Sequence, residues 1–254
     1  FYDWEYDDPE NSGGGIFNTG SDEEAYARVV SGIAFSGEHS VQASISRAYR
    51  SKNGNRAVRL MRWTDKPWKE GGKHFPRKAY YSTWMMIPEN YNPNKEAPWD
   101  PGDGGWWNIF QFKSDNRKGE SDPVWVLNIM RNVETKGMHL YLYSEKNKQH
   151  SYEIKSAPLP VGEWFHIEVF YKQSTPYKKN GELAFWLDGE LAFRMKGIVT
   201  KLKGPATWGI GSYTDHIDGG VTPGSATVYF DDAVVSSKPA YPYVKAGYAC
   251  NPKE

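Results

Sequence analysis

The chain has 254 residues, a length that fits one large all-β domain or two small ones. Lys plus Arg and Asp plus Glu number 31 each, so the chain lacks the broad basic field of a non-specific nucleic-acid binder. One cysteine, Cys250, excludes an internal disulfide framework and a Cys-based zinc site.

Alternation of apolar and polar side chains with a period of two recurs along the chain, whereas a helical period is nearly absent. The only segment predicted to be helical is 22–29, where two glutamates are followed by alanines. In chain order, the alternation predicts strands at residues 40–47, 57–63, 79–87, 107–113, 124–131, 138–143, 164–171, 183–187, 191–195, 207–211 and 227–235.

The segments between the predicted strands carry turn signals. Asp188-Gly189 lies between two alternating segments, which is the strongest local sign of a two-residue hairpin. The longest irregular segment, 88–105, is rich in proline and glycine, and loops of this length are often functional. No internal repeat or linker is visible, so residues 1–237 are predicted to form one domain, followed by an extended tail at 238–254.

About a dozen short strands joined by such turns predict an all-β jelly-roll sandwich of two antiparallel sheets. Each strand then turns one face into the core and the other outward. The outer face of a curved sheet is a natural groove for a long ligand.

Aromatic residues make up 15% of the chain, more than one core normally needs. Aromatic rings stack on the apolar faces of sugars, and polar side chains bond hydroxyl and carboxylate groups. The strands at 107–113, 138–143 and 164–171 each pair an apolar face with a face of aromatic and polar residues, which predicts a polysaccharide groove. The predicted substrate-binding residues are Trp99, Trp106, Trp107, Trp125, His139, Tyr141, Tyr143 and His166.

Several segments resemble a known superfamily. Residues 37–45 (GEHSVQASI) are similar to an early strand of concanavalin A-like jelly rolls. The order of 162–167 (GEWFHI), 184–189 (AFWLDG), 209–213 (GIGSY) and 228–232 (VYFDD) resembles its heparin-lyase-I-like and glucuronan-lyase-like branch of polysaccharide lyases. The resemblance spans roughly residues 30–236 and implies β-elimination on a uronic-acid-containing polysaccharide.

The resemblance also implies catalytic residues. Alginate-type members carry Gln-x-His on a central strand, and here Gln111 matches while Lys113 replaces the histidine. Arg56 and Arg59 lie near the arginine of an earlier Arg-x-Glu-Leu motif, whose glutamate is absent. Tyr213 matches a late tyrosine that acts as the base once nearby cations favour its phenolate.

Histidines are the alternative bases. His74 belongs to the basic loop 72–77, which suits an anionic sugar, and His216 is close to Tyr213 in sequence. His139 and His166 are further candidates.

A structural calcium site is a separate expectation. Related sandwiches often set an Asp of the last strand against acidic residues near the first, and here Asp231 would face Asp3 and Glu5, or Asp7 or Asp8. Calcium prefers six to eight oxygen ligands. An acidic surface cluster with no metal is the alternative.

Two other functions compete with a lyase. A non-catalytic carbohydrate-binding module or lectin-like domain would use the tryptophans as a platform, and a glycoside hydrolase would need a second carboxylate near Glu168. No apolar segment approaches the roughly 18 residues of a membrane span. The chain is predicted to be a monomer that is secreted or displayed at the cell surface.

Overall fold

The computed structural model describes residues 15–16, 25–46, 56–64, 71–91, 107–131, 137–153, 158–214 and 225–240. In this part of the chain the regular structure is strand, with one turn of 3₁₀ helix at Glu145–Asn147. The strands are β1 Gly15–Ile16, β2 Ala25–Ser31, β3 His39–Ser46, β4 Arg56–Arg62, β5 Lys78–Met86, β6 Trp107–Asp115, β7 Ser121–Arg131, β8 Met138–Ser144, β9 Gln149–Glu153, β10 Trp164–Lys172, β11 Gly181–Leu187, β12 Glu190–Ile198, β13 Ala206–Thr214 and β14 Ser225–Ser236.

The strands form two seven-stranded sheets in which every neighbouring pair is antiparallel. The first sheet has the order β1-β4-β13-β6-β7-β8-β9, and the second has the order β12-β11-β10-β5-β14-β3-β2. In both sheets, strands distant in sequence are inserted between earlier ones. This architecture confirms the predicted jelly-roll sandwich.

Each of the eleven predicted strands corresponds to a strand of the structure, but the predicted helix at 22–29 is wrong. Its described part belongs to β2, an edge strand that pairs antiparallel with β3, with Val29 opposite Val41. Ala27 is buried and Arg28 is exposed, so the period is that of a strand. Pairing with a neighbouring strand therefore overrides the helical preference of alanine.

Aromatic side chains from both sheets fill the core between them. The ring of Phe112 in β6 stacks on that of Tyr171 in β10, with centroids 3.8 Å apart and planes 11° apart. Tyr81 in β5 meets Phe112 at 4.9 Å and Trp208 in β13 at 5.3 Å, both edge to face. These contacts join the two sheets at the centre of the molecule.

The β11–β12 hairpin has the two-residue loop that its sequence predicts. Asp188 and Gly189 have φ values of 48° and 80°, as a type I′ turn requires, and Gly accepts this region without strain. Within the described residues, no helix is long and apolar enough to cross a membrane.

Candidate functional site

A bulge in β6 determines which of its side chains face outward on the first sheet. The pairing of β6 with β7 shifts register between Asn108 and Phe110, so the alternation changes at this point. Asn108 therefore shares the outer face with Gln111. Trp107, 3% exposed, belongs to the hydrophobic core, so its predicted place beside Gln111 in a sugar platform is wrong.

Four polar residues form a continuous row across the outer face of the first sheet. Asn108 in β6 pairs with Tyr213 in β13 on one side and with Asn128 in β7 on the other. Asn128 in turn pairs with Tyr141 in β8. Directly paired residues of antiparallel strands point to the same face, so the four side chains are neighbours. We call this set the polar row.

The two asparagines of the polar row differ in their hydrogen bonds. The Asn108 side-chain amide donates to the carbonyl oxygens of Phe110 and Leu127, at 3.3 and 3.1 Å. Asn128 is 1% exposed, and its Oδ1 has no hydrogen-bond partner among the described residues. The Asn108 amide therefore holds the bulge, whereas the Asn128 Oδ1 is a buried acceptor that the described residues leave unsatisfied.

Gln111 and Lys113 lie on the same face as the polar row, but farther along the strands. Gln111 is opposite Gly209 and Lys113 is opposite Thr207 in β13. The pairing shifts register between Ile210 and Tyr213, so at the usual rise per residue these levels are about 10–13 Å and about 17–20 Å from Tyr213, counted on β6 and on β13. Gln111 is buried and Lys113 is half-buried. One sugar ring therefore cannot contact Tyr213 and Lys113 together.

Gly209 leaves room for a side chain to cross β13. Met61 in β4 pairs with Gly209, and the Gln111 side-chain amide lies 3.6 Å from the Met61 sulfur. A Cβ added at Gly209 would lie 2.1 Å from that sulfur. The glycine thus lets Met61 reach over β13 to Gln111 and form the floor of the face.

The predicted residues of β8 also lie on this face. His139, Tyr141 and Tyr143 alternate with the core residues of the strand, and Tyr143 pairs with Val126. His139 and Tyr141 are buried, whereas Tyr143 is half-buried. Burial, followed by the charge of Glu145, raises the pKa of Tyr143, so its hydroxyl is held neutral.

Other predicted residues lie at the margin or beyond the described part. Arg59 is opposite Gly211, two residues from Tyr213 along β13. His74 is exposed and forms an isolated antiparallel β-bridge with Thr64, just beyond the end of β4. Strands β4 and β13 therefore separate His74 from Lys113. Trp99, Trp106, His216, Asp3, Glu5, Asp7 and Asp8 lie outside the described residues.

Trp125 is not part of an outer face. Its side chain is 1% exposed in the core, and its indole N–H donates to the Val199 carbonyl oxygen at 3.0 Å. Its predicted role as a sugar platform is therefore wrong. The pairing of β6 with β7 shifts register a second time between Phe112 and Lys113, which are opposite Trp125 and Pro123. This shift interrupts the alternation of β7, and the sequence pattern does not reveal it.

His166 lies on the second sheet, separated from the polar row by the core. It pairs with Trp84 of β5 and packs against that ring at 5.0 Å. Burial lowers its pKa to about 4, which keeps the imidazole neutral near pH 7. The grouping of His166 with the β8 residues is therefore wrong, because the two strands belong to different sheets.

Glu168, the candidate glycosidase carboxylate, lies on the same outer face as His166. Its carboxylate accepts a hydrogen bond from the Ala240 backbone N–H at 2.5 Å. Its cross-strand neighbours are Ser82 and Trp186, and neither is a second carboxylate. Strand pairing in the described part of the chain therefore places no second carboxylate directly beside Glu168.

A family comparison decides the class. Residues 9–234 match the family model described as polysaccharide lyase. The chain belongs to this polysaccharide lyase family. A comparison with curated protein sequences finds no match.

Solved structures share the fold of this polysaccharide lyase family member. An endo-β-1,4-glucuronan lyase from Trichoderma reesei superposes with a TM-score of 0.60 at 15% identity, covering 87% of this chain and 91% of that one. The cellulose-induced protein Cip1 gives 0.51 at 13% identity, covering 86% and 88%. The alginate lyase Aly36B, with a lysine and a tyrosine replaced by alanine and alginate tetrasaccharide bound, gives 0.51 at 10%, covering 78% and 80%.

Asp231 in this family member fastens a loop to β14. Its carboxylate accepts hydrogen bonds from the backbone N–H groups of Phe35, Ser36 and Asp232, at 2.7, 3.1 and 2.7 Å. Burial raises its pKa to about 6. Within the described residues, no group of three His, Cys, Asp or Glu side chains could hold a metal ion, so these residues alone do not fit calcium.

Proposed function

We propose that this chain cleaves a uronic-acid-containing polysaccharide by β-elimination on the outer face of its first sheet. The observation that carries the proposal is the polar row, in which strand pairing aligns Tyr213 with two asparagines and a second tyrosine. The family match supports lyase chemistry, and the row supplies groups suited to it.

In the reaction a base removes the C5 proton of the uronate. The electron pair forms a C4–C5 double bond as the C4–O4 bond breaks, and an acid protonates the departing O4. Tyr213, the half-buried member of the otherwise buried polar row, is assigned to proton transfer. A tyrosine has a reference pKa of about 10, so a nearby cation must favour its phenolate. Arg59 is the proposed cation. It lies in β4 opposite Gly211, which is two residues from Tyr213 along β13.

Removal of the C5 proton also requires that the neighbouring carboxylate be stabilised as negative charge spreads onto it. The Asn128 amide N–H is the proposed donor, because Asn128 is opposite Asn108, the strand partner of Tyr213, and its Oδ1 has no hydrogen-bond partner among the described residues, so no bond to that oxygen fixes the amide. Fixed donors aimed at developing charge are among the strongest catalytic devices.

Gln111 and Lys113 are assigned to neighbouring sugars of the same polysaccharide chain. Lys113 lies too far along β6 from Tyr213 to contact the reacting ring, and its ammonium suits the carboxylate of another uronate. Gln111, at a level between the two, is assigned to the sugar next to the reacting one. Alginate tetrasaccharide was bound to the Aly36B variant in which a lysine and a tyrosine were replaced. Lys113 and Tyr213 are residues of these two types.

A product assay separates a lyase from its rivals. A panel of glucuronan, alginate and neutral glucans is incubated with the chain, and two signals are followed. A lyase generates the ultraviolet absorbance of the new double bond, a hydrolase generates reducing ends without it, and a binding module generates neither. Absence of the absorbance with every uronan would refute the proposal.

Substitution of the two asparagines should separate catalysis from folding. For Asn128→Leu we expect kcat to fall by about 100-fold, the typical loss for one such donor, with stability unchanged or higher because an unsatisfied buried oxygen is removed. For Asn108→Leu we expect a loss of about 1–2 kcal/mol, because two backbone carbonyls lose their donor. Steady-state kinetics and thermal unfolding measure both effects. Normal turnover in Asn128→Leu would contradict its role.

A structural calcium ion at Asp231, with Asp3 and Glu5, is also part of the proposal. Without metal, the pKa of Asp231 is about 6 in the folded state, above its value in the unfolded chain. The raised pKa therefore stabilises the folded state fully below the unfolded pKa, and this contribution is lost as pH rises through 6. Calcium binds the ionised carboxylate, so the rise in Tm on adding calcium should grow between pH 5 and 7. Calorimetry with chelator and with calcium, on wild type and Asp231→Asn, tests this. If the Tm of the wild type were the same with calcium as with chelator, both at pH 5 and at pH 7, the site would be excluded.

We further propose that the chain acts as a monomer outside the cell or at its surface, where its polymeric substrate is found. Light scattering after size-exclusion chromatography tests the first point, and fractionation of the producing cells tests the second.

A further inference from the structure

The second sheet carries an aromatic cluster on its outer face, on the side of the molecule opposite the polar row. It consists of Tyr80 in β5, Phe170 in β10 and Trp186 in β11. The ring of Tyr80 lies 5.1 Å from that of Phe170 and 6.2 Å from that of Trp186. All three are half-buried, so solvent reaches part of each ring. The core beneath is already filled by other rings, so packing of the core does not require this cluster.

Two lysines adjoin the aromatic cluster in a pairing that is unfavourable by itself. Lys78 and Lys172 are directly opposite each other in β5 and β10, and each is two residues from a ring of the cluster. Like charges in directly opposed positions repel. Neither lysine forms an ion pair in the described part of the chain. The nearby Glu182 is bound by Arg194 at 2.6 Å, with Lys196 at 3.9 Å.

Protection of a sheet edge does not explain these lysines. Edge strands often carry lysine to prevent pairing with other molecules, but β5 and β10 are interior strands of the second sheet. The row Lys78, Lys172, Glu182 and Lys196 runs across four adjacent strands. At the usual strand spacing this row is about 14 Å long. A short stretch of an extended anionic chain matches that length.

We propose that Tyr80, Phe170, Trp186, Lys78 and Lys172 form a second binding surface for acidic polysaccharide, distinct from the catalytic face. The ring faces would cover the apolar C–H faces of uronate residues, and the two ammonium groups would pair with their carboxylates. The class of ligand rests on the proposed function. Single-stranded nucleic acid also combines anionic groups with flat rings, but the balanced charge of the chain disfavours it.

Affinity electrophoresis tests the surface apart from catalysis. Native gels with and without glucuronan or alginate are run with Tyr213→Phe protein, to limit cleavage, and with the same protein carrying Lys78→Gln and Lys172→Gln. We expect the lysine substitutions to weaken retention about threefold to tenfold, as for two exposed ion pairs. Lys118→Gln, an exposed lysine of the β6–β7 turn, is the matched control and should leave retention unchanged.

Trp186→Ala is the second variant, and it should weaken retention without involving charge. Tm measured for each variant checks folding, and the lysine pair should be at least as stable as the parent because a repulsion is removed. With Tyr213 intact, both changes should lower activity on the polymer but leave kcat/KM for a short oligouronide unaltered. If no uronan is cleaved, the gels still decide the surface. Undiminished retention in both variants, or preferential binding of single-stranded RNA, would overturn it.

Discussion

Replacing Tyr213 with phenylalanine should reduce the rate of uronan cleavage by about 100-fold or more, the range for loss of a proton-transfer group. The substitution keeps the ring beside Asn108 and removes only the hydroxyl. We therefore expect kcat to fall with little change in KM or in Tm. Initial rates from the ultraviolet absorbance of the unsaturated product, on the uronan that is cleaved fastest, measure the effect.

The matched control for this prediction is Tyr229→Phe. Tyr229 lies in β14 of the second sheet, where its hydroxyl accepts a hydrogen bond from the Gln42 side chain at 3.2 Å. Its loss should leave turnover near the wild-type value. If Tyr213→Phe and the control behaved alike, Tyr213 would lose its assigned role, and His139 would be the next base to test.

The largest expected loss of stability follows from Phe112→Ala. Phe112 is 2% exposed, stacks on Tyr171 and contacts Tyr81, so it links the two sheets at their centre. Truncation of a buried phenylalanine costs about 3–5 kcal/mol through lost burial and the cavity left behind. The unfolding free energy from urea titration should fall by this amount.

Leu191→Ala provides the comparison for the core substitution. Leu191 is 54% exposed in β12, so its truncation should change stability by less than about 0.5 kcal/mol. A cost for Phe112→Ala as small as this would mean that the ring is not tightly packed between the sheets.

Much of the fold was predictable from the sequence because buried strands impose a period of two on the side chains. The Asp188-Gly189 turn and eleven of the strands, including the edge strand β12, were evident in this way. Strand β2 was not, because its alanines and glutamate-rich start mimic a helix, and only pairing with β3 makes it a strand. The short edge strands β1 and β9 lack an apolar alternation of their own.

The candidate site was less predictable, and the β6 bulge explains why. Alternation alone places Trp107 on the outer face with Gln111 and Asn108 on the core face. The bulge reverses this, so that Asn108 faces outward and Trp107 faces the core. Asn128 was not predicted, because a single asparagine in an otherwise apolar strand gives no motif. The available signal was that Asn128 and Val126 are two residues apart and therefore lie on the same, outer face of β7. Nor does alternation within a strand tell which sheet the strand joins, and for this reason His166 was grouped with β8.

The aromatic layer between the sheets has a consequence for how this protein can diversify. Packed sheets lie about 10 Å apart, and substitutions separated by such distances usually have additive effects. Substitutions on the first sheet can therefore change which sugar is cleaved while the second binding surface keeps its affinity, with little epistasis between the two sheets. Laboratory evolution of cleavage specificity can likewise randomise outer residues of the first sheet alone and leave the binding surface of the second sheet unchanged.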